Sequence, residues 1–267
     1  MGKFYIIIVF LFFSCSNDLQ EIRIAYTNKD YKKVIRLSDE KLKDEVVYKE
    51  AIKLYELRGL SYYELKDYQN ASNDLYKVIT SGNSGVEVNE KVCMSNIYLG
   101  KIDFAILGFT DLIKFDSLNP SFYYHRAEAY VQIKEYDKAK NDLLKSILLD
   151  SSKGMYYNDL GMVFQTQLND KKAIPLFSKA IKLSPYPSGA YFNRGISYYY
   201  LNKLDSSLSD FNKSIEFNNQ VGIVYYNRAL LYMELGKKDK CCSDLNQAIK
   251  LGYTDVSLKI KQYCSSR

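Results

Sequence analysis

The chain has 267 residues, of which 47% are hydrophobic and 25% are charged, with 4 prolines and 13 glycines. This composition is typical of a folded protein and excludes a chain that is disordered over most of its length. The net charge is +6, but lysines alternate with acidic residues and no long run of like charges occurs, which excludes a dedicated nucleic-acid binder.

The N-terminus has the pattern of a secretory signal. Lys3 precedes an unbroken apolar run, Phe4 to Phe13, and Ser14 and Cys15 follow directly. A run of about ten residues in a helix reaches about 15 Å, roughly half the apolar thickness of a bilayer, so the segment is too short to stay as an anchor. We therefore predict that residues 1–14 are a cleaved signal peptide.

The residues around the predicted cleavage site resemble the lipobox of bacterial lipoproteins, in which a small residue precedes a cysteine. The resemblance implies that Cys15 carries lipid and becomes the mature first residue, although Phe12 stands where the motif prefers leucine. Ser16, with no acidic residue before Asp18, is similar to lipoproteins sorted to the outer membrane. The expected location is thus the bacterial cell envelope, and an ordinary secretory signal with a chance cysteine is the alternative.

Residues 15–51 are predicted to form a tether and one degenerate helical hairpin. The pattern formed by Tyr31, Val34, Ile35 and Leu42 is similar to that of the later repeats but matches it poorly.

Residues 52–255 repeat with a period of 34 residues. Steps of 34 from Gly59 reach only small side chains, and steps from Tyr62 reach mostly rings. One column holds isoleucine in every unit: Ile79, Ile113, Ile147, Ile181, Ile215 and Ile249. Spacings of three, four and seven residues between the columns place them on one face of a helix. Each unit is therefore predicted to be a helical hairpin, and stacking of six units buries a continuous core.

The order of ring, small and bulky residues in these units resembles the tetratricopeptide repeat. The unit that matches best has Tyr157, Leu160, Gly161, Phe164, Ala173, Phe177, Ala180 and Pro185. The resemblance implies an all-α fold, a right-handed superhelical solenoid of helical hairpins. The six predicted units are 52–85, 86–119, 120–153, 154–187, 188–221 and 222–255.

Two parts of this array depart from the regular pattern. The unit 86–119 has Asn89 and Asn96 in place of both rings, so we expect weaker packing there. Residues 256–267 are predicted to form a capping helix, with Val256, Leu258 and Ile260 available for packing.

Arginine occupies one column in four units, and aspartate stands 16 residues later in each of them. The two units with Val92 and Leu160 in place of the arginine also lack the aspartate. Because the pair is kept or lost together, we predict a structural ion pair between the two helices of a unit. The predicted pairs are Arg58 with Asp74, Arg126 with Asp142, Arg194 with Asp210 and Arg228 with Asp244.

The residue patterns of common enzyme and metal sites are absent from the sequence. His125 is the single histidine, so we assign it a packing or hydrogen-bonding role, and no Walker loop, nucleophile elbow or H-E-x-x-H motif occurs. The five cysteines include no C-x-x-C arrangement, and Cys241 or Cys242 could pair with Cys264 in an exported chain. We expect no catalysis, no cofactor and no metal site.

In tetratricopeptide arrays the first helices line the concave face, and here the residues left over from the core on those helices are rings, methionines and asparagines. The predicted groove consists of Tyr124, Asn158, Met162, Phe192, Asn193, Ile196, Tyr199, Tyr226, Asn227, Leu230 and Met233. Rings supply contact area and amides can pair with a peptide backbone, so the expected partner is a protein or peptide segment. The carboxylate clamp of some family members is missing beyond Lys53, Lys91 and the asparagines, and residues 16–51 or neighbouring coils could instead cover the surface.

Together these features favour a non-catalytic interaction scaffold that is attached to a membrane through lipid on Cys15. We expect an adaptor in envelope assembly or secretion that binds neither nucleic acid nor a small-molecule substrate. The alternative is a passive structural subunit of a homo-oligomeric envelope complex, in which self-association consumes the groove. Fold alone does not distinguish them.

Overall fold

The computed structural model describes residues 19–82 and 84–265 and contains only helices and turns over those ranges. The predicted signal peptide, Cys15 and Ser16 lie outside the described residues. The described residues form two compact units, one that ends at Glu135 (the N-terminal unit) and one that begins at Tyr136 (the C-terminal unit). Within the described ranges no helix combines the length and hydropathy needed to cross a bilayer.

The N-terminal unit contains seven helices in its described part, and consecutive helices from α2 onward pack against each other. They are α1 (residues 19–27), α2 (Tyr31–Lys41), α3 (Tyr48–Glu64), α4 (Tyr68–Thr80), α5 (Val86–Tyr98), α6 (Ile102–Phe115) and α7 (Pro120–Gln132).

The C-terminal unit contains eight helices in its described part, again packed in chain order. They are α8 (Tyr136–Leu149), α9 (Gly154–Thr166), α10 (Asp170–Leu183), α11 (Ser188–Tyr200), α12 (Leu204–Phe217), α13 (Gly222–Glu234), α14 (Lys238–Lys250) and α15 (Leu258–Ser265). Helices α5, α7, α9, α11 and α13 begin at the first residues of the units predicted from the sequence, whereas α3 begins at Tyr48, before residue 52.

The turns inside the hairpins share one backbone geometry. The residue after the helix cap has positive φ at positions 34 apart, and these residues are Lys66, Gly100, Lys134, Leu168, Asn202 and Gly236. The next amide then bonds to a carbonyl five residues back, as from Asp67 N to Tyr62 O at 2.9 Å and from Lys237 N to Tyr232 O at 2.8 Å. This is the Schellman motif, which satisfies carbonyls at the helix end and ends the helix at a fixed point.

The core of a hairpin is a large ring packed against a small residue. Phe109, Phe177 and Phe211 are fully buried. A Cβ at Gly161 would lie 2.6 Å from a ring carbon of Phe177, and a Cβ at Gly195 would lie 2.8 Å from a ring carbon of Phe211. The small columns of the sequence therefore mark the places where the two helices of a hairpin come closest.

Residues 19–41 form a hairpin of two helices, α1 and α2. Ile22, Ala25 and Val34 are buried in a cluster with Leu54 of α3, and Leu42 packs at its edge. The second helix of this hairpin also supplies Asp39, which accepts a hydrogen bond from Arg58 Nη1. The degenerate hairpin thus behaves as an ordinary neighbour of the first clear repeat.

The C-terminal cap is one short helix, α15. Its Ile260 is fully buried against Ala229, Cys241 and Leu245, and Val256 packs beside them in the preceding segment. Leu258, which we expected to pack, is exposed because it is the first residue of the helix and lies on the face away from that cluster.

Candidate functional site

The best-defined polar structure in the C-terminal unit is a three-way contact at Arg194. Its Nε lies 2.7 Å from Asp210 Oδ2 and its Nη2 lies 2.8 Å from Asp210 Oδ1. One edge of the guanidinium therefore donates two hydrogen bonds to the carboxylate. The remaining Nη1 donates to Ser178 Oγ at 2.8 Å. Arg194 on α11 is thus tied to α12 of its own hairpin and to α10 of the hairpin before it.

The same arrangement occurs at Arg228 and Arg58. Arg228 pairs with Asp244 at 2.6 and 2.7 Å and donates to Asn212 Oδ1 at 2.7 Å. Arg58 pairs with Asp74 at 2.6 and 2.9 Å and donates to Asp39.

The fourth predicted pair is divided between the two units. Arg126 on α7 belongs to the N-terminal unit, where it donates to Thr110 Oγ1 at 3.0 Å. Its predicted partner Asp142 is buried on α8 of the C-terminal unit.

Arg194 and Arg228 each also lie between two tyrosine rings of their own helix. The guanidinium carbon of Arg194 is 5.5 Å from the ring centroid of Tyr191 and 5.7 Å from that of Tyr198. Arg228 has the same relation to Tyr225 and Tyr232, at 5.6 and 5.8 Å. Such contacts favour the cation, and the hydrogen bonds that Arg194 donates to Asp210 raise the pKa of Arg194 further above its usual range.

The polar partner in the preceding hairpin was missed in the sequence. It stands 16 residues before the arginine, as Thr110, Ser178 or Asn212, so the column has no constant residue type. The signal was nonetheless present, because the repeat with Leu160 and Leu176 has Leu144 at this position. All three positions therefore change together.

The predicted groove residues fall into three groups, of which the first lies on α7 and α9. Tyr124 is buried in the N-terminal unit, in edge contact with His125, and so it presents no free ring face to a partner. Asn158 accepts a hydrogen bond from Asn193 Nδ2 at 3.1 Å and donates to Asp159 at 2.9 Å. Met162 is exposed one turn further along α9.

The second group lies on α11 and is half-buried. Phe192, Ile196 and Tyr199 pack against a cluster containing Phe211, Val224 and Leu231, which lie on the following helices. The Tyr199 hydroxyl also donates to Glu234 on α13, and burial together with this carboxylate raises the pKa of Tyr199 to about 12. These rings contribute to the structure of the unit as well as to its surface.

The third group lies on α13 and is largely covered by the chain's own C-terminal segment. The Tyr226 ring lies 4.9 Å from that of Tyr253, and the Tyr226 hydroxyl accepts from Ser257 N at 3.4 Å. Leu230 and Met233 pack against the cluster that contains Ile260. Asn227 donates to the carbonyl of Ile223 at 2.8 Å on its own helix. The exposed part of the predicted groove therefore centres on α9 and α11.

A small cavity adjoins Asn158 at that exposed part. Its volume is about 190 Å³, and it lies between the beginnings of α9 and α11 and the end of α10. Met155 and Tyr186 line it and are exposed, while Gly189 leaves open space where a side chain would be. Met155, Tyr186 and Gly189 are not among the groove residues predicted from the sequence.

The cysteines of the cap form a disulfide. Cys242 is bonded to Cys264, and Cys241 remains a free, buried thiol whose Sγ lies 4.0 Å from Cys264 Sγ. Of the two pairings left open by the sequence, the structure has Cys242 with Cys264, and this bond joins α14 to α15. Among the described residues, these three cysteines are the one cluster of cysteine, histidine or acidic side chains that lie close enough together to hold a metal ion. Two of the three sulfurs are used by the disulfide.

His125 is placed as a packing and hydrogen-bonding residue. Its Nδ1 lies 2.6 Å from Glu128 Oε2 on the same helix, and its ring stacks 5.7 Å from Phe109.

Similarity to solved structures agrees with this fold. A tetratricopeptide repeat protein from Parabacteroides merdae matches over 94% of this chain and 97% of its own, with a TM-score of 0.73 and 16% identity. YrrB, described as a tetratricopeptide protein with an unusual peptide-binding site, matches over 69% of this chain and 95% of its own, with a TM-score of 0.54 and 21% identity.

Sequence comparisons identify the repeat type. TPR repeat-containing protein MJ1428 of Methanocaldococcus jannaschii is 27% identical over 152 residues, which cover 54% of this chain and 26% of that protein. The chain thus spans about a quarter of the length of this relative. The family model described as Tetratricopeptide repeat matches residues 48–81, 120–153, 188–221 and 223–251. At these positions the chain therefore contains tetratricopeptide repeats.

Proposed function

We propose that this protein is a lipid-anchored binding scaffold of the bacterial cell envelope, which holds an extended segment of another protein on the surface of α9 and α11. In this role it is an adaptor in envelope assembly or secretion and has no catalytic activity. Three features support the proposal: the repeat type, the lipobox-like sequence at Cys15 and the surface around Asn158.

The observation that carries the binding role is the pair of bonded amides, Asn158 and Asn193, beside exposed apolar side chains. Asn158 Nδ2 donates to Asp159 and to the Met162 sulfur, so both of its hydrogens are used. The capacity left for a peptide backbone is the second lone pair of Asn158 Oδ1, together with the second Nδ2 hydrogen and the Oδ1 of Asn193. Met155 and Met162 are exposed on the same helix, and methionine adapts to side chains of different shape. The adjoining cavity of about 190 Å³ has room for a small side chain of the bound segment.

The alternative function is that of a structural subunit of a homo-oligomer. The observation that supports it is a pair of exposed rings at the two ends of α11. Tyr186 precedes α11 and Tyr200 ends it, and exposed rings of this kind are common at protein interfaces. Light scattering over a concentration series separates the two functions, because self-association alone predicts an oligomer of fixed size.

The binding role predicts the result of cross-linking in the native cell envelope. Met155→Glu with Met162→Glu places two charges on half-exposed side chains and changes no fully buried residue, so the fold should be kept. We expect a discrete cross-linked protein with the wild type and its loss in this variant, because buried charge opposes association.

A matched control is Ile249→Glu, which makes the same kind of change at an exposed position on α14. It should retain the cross-linked protein. Capture of the same set of proteins by wild type and by the Met155/Met162 variant would contradict the proposed surface, and circular dichroism would verify that both variants are folded.

The anchoring role predicts a separate result in detergent phase partition. Each buried methylene of an acyl chain contributes about 0.8 kcal/mol, so the lipidated wild type should enter the detergent phase. Cys15→Ser removes the attachment atom, and this variant should move to the aqueous phase, whereas Ser16→Ala should behave like wild type. A wild-type protein found in the aqueous phase would refute lipid attachment without affecting the binding proposal.

A further inference from the structure

The N-terminal unit contains a cavity of about 630 Å³ on α4, α5 and α6. Its floor consists of Ile79, Val92, Cys93, Gly108 and Leu112. At its edge stand the rings of Tyr76, Phe104 and Phe115, which are 60%, 67% and 77% exposed. The volume lies within the range of about 300–1,000 Å³ that is usual for ligand sites in proteins.

The other repeats show what normally fills this place. In the hairpin of α11 and α12, two tyrosine rings enclose Arg194, which reaches Asp210 and Ser178. The equivalent residues of the α5 hairpin are Asn89 and Asn96 for the rings, Val92 for the arginine, Gly108 for the aspartate and Tyr76 for the serine. All five of these line the cavity.

The repeat with Leu160 also lacks the charged pair, but its replacements differ from those of the α5 hairpin. That repeat keeps both rings, as Tyr157 and Phe164, and it has leucine at the positions of arginine and aspartate. In the α5 hairpin every replacement is smaller than the residue it replaces, except Tyr76, which extends outward to the solvent. The missing volume is therefore that of two aromatic rings and a guanidinium.

The lining indicates which of these groups a ligand would supply. The space of the absent aspartate is taken by a thiol, because a Cβ at Gly108 would overlap Cys93 Sγ. Burial raises the pKa of this Cys93 thiol to about 12, so it stays neutral and offers no charge to a buried guanidinium. An aromatic ring fits such a floor, and Phe104 and Phe115 can pack against its sides.

One acidic residue lines the cavity and defines the charge of what binds beside the ring. Asp111 lies 2.9 Å from Lys114, but both side chains are more than 70% exposed, so this pair is weak and replaceable. A basic residue next to the inserted ring would find Asp111 within the same site. The charge at the cavity is thus complementary to a cation.

We propose that this cavity is a docking site for a segment of a partner protein that inserts an aromatic side chain, with a basic residue next to it, into the place of the missing rings. The cavity lies on α4, α5 and α6 of the N-terminal unit, whereas the binding surface proposed above lies on α9 and α11 of the C-terminal unit. It is independent of that proposal and does not require the partner to be the same protein.

The test uses three defined probes and nuclear magnetic resonance of the full soluble chain from residue 16. The probes are p-cresol, N-acetyl-Tyr-Arg-amide and N-acetyl-Tyr-Glu-amide. We expect p-cresol and the Tyr-Arg probe to bind with millimolar Kd and to shift resonances of α5 and α6. At low salt the Tyr-Arg probe should bind roughly threefold tighter than the Tyr-Glu probe, and Asp111→Asn should remove this difference.

Filling the cavity provides the decisive variant. Asn89→Tyr with Asn96→Tyr restores the rings of the other repeats, so it should raise Tm and abolish binding of all three probes. Asn73→Tyr adds a ring at an exposed position of α4 outside the cavity and should leave probe binding unchanged.

Three results would overturn the proposal: no binding of p-cresol up to its solubility, equal binding by the filled variant, or binding of p-cresol without either dipeptide. The last result would mean that the cavity takes a small aromatic molecule and excludes a protein segment. A Tm of the filled variant at or above that of wild type would show that its loss of binding is not due to unfolding.

Discussion

Asp210→Leu alone should lower the free energy of unfolding by about 3 kcal/mol, whereas the triple variant Ser178→Leu, Arg194→Leu, Asp210→Leu should lie within about 1 kcal/mol of wild type. The single change leaves Arg194, whose side chain is 18% exposed, without its carboxylate. The triple change removes the charge together with its partners. The chain already uses this solution, since Leu144, Leu160 and Leu176 occupy the equivalent positions one repeat earlier.

Chemical denaturation of the single, double and triple variants measures these differences. Arg194→Leu should also be costly, because it leaves Asp210, 6% exposed, without a cation. The losses from Arg194→Leu and Asp210→Leu should not sum in the double variant. Glu40→Leu, which breaks the exposed pair with Arg36, is the control and should change stability by less than about 0.5 kcal/mol. Additive losses at Arg194 and Asp210 would show that the two side chains act independently.

Phe211→Ala should cost about 3–5 kcal/mol, because it empties the fully buried centre of a hairpin. Gly195→Ala should cost about 1–3 kcal/mol for the opposite reason, since its Cβ would lie 2.8 Å from the Phe211 ring. In the double variant the new methyl group enters the space left by the ring. Its loss should therefore be about 1 kcal/mol smaller than the sum of the single losses.

Thermal and denaturant unfolding of these variants should be compared with Gly189→Ala on the same helix. Nothing lies within 4 Å of a Cβ at Gly189, so this change should stabilise the protein by about 0.4–1 kcal/mol through helix propensity. If Gly195→Ala were also stabilising, α11 and α12 would be less closely packed than the structure shows.

The hairpins could be predicted because their signal is repeated. Small residues at Gly161 and Gly195 and rings at Phe177 and Phe211 recur at one spacing, and one steric requirement explains each column. The hydrogen-bond partner 16 residues before the arginine could not be predicted in the same way, because serine, threonine and asparagine all accept from a guanidinium. Positions that share this hydrogen-bonding role therefore do not share one residue type. Arg58 finds its partner, Asp39, at a different position, 19 residues before it.

The candidate binding surface was predictable only in part, for a different reason. Asn158 and Asn193 are adjacent because helical spacing and the repeat period together place them there. Covering of Tyr226 depends on the path of the segment after α14, which brings Tyr253 and Ser257 back over α13. This segment lies outside the repeats, so the repeat pattern could not predict its path. The choice of Cys242 over Cys241 for Cys264 likewise depends on the direction in which α15 returns.

The contact of each arginine with the preceding hairpin limits how such an array can grow by gene duplication. Arg228 needs Asn212 from the hairpin before it and Asp244 from its own, so a copied hairpin carries only one of its two partners. A copy inserted after a hairpin that offers leucine would bury an unmatched guanidinium. The segment that can be exchanged without this penalty runs from the second helix of one hairpin to the second helix of the next. Recombination breakpoints that survive selection should therefore lie within second helices, not at the loops between repeats.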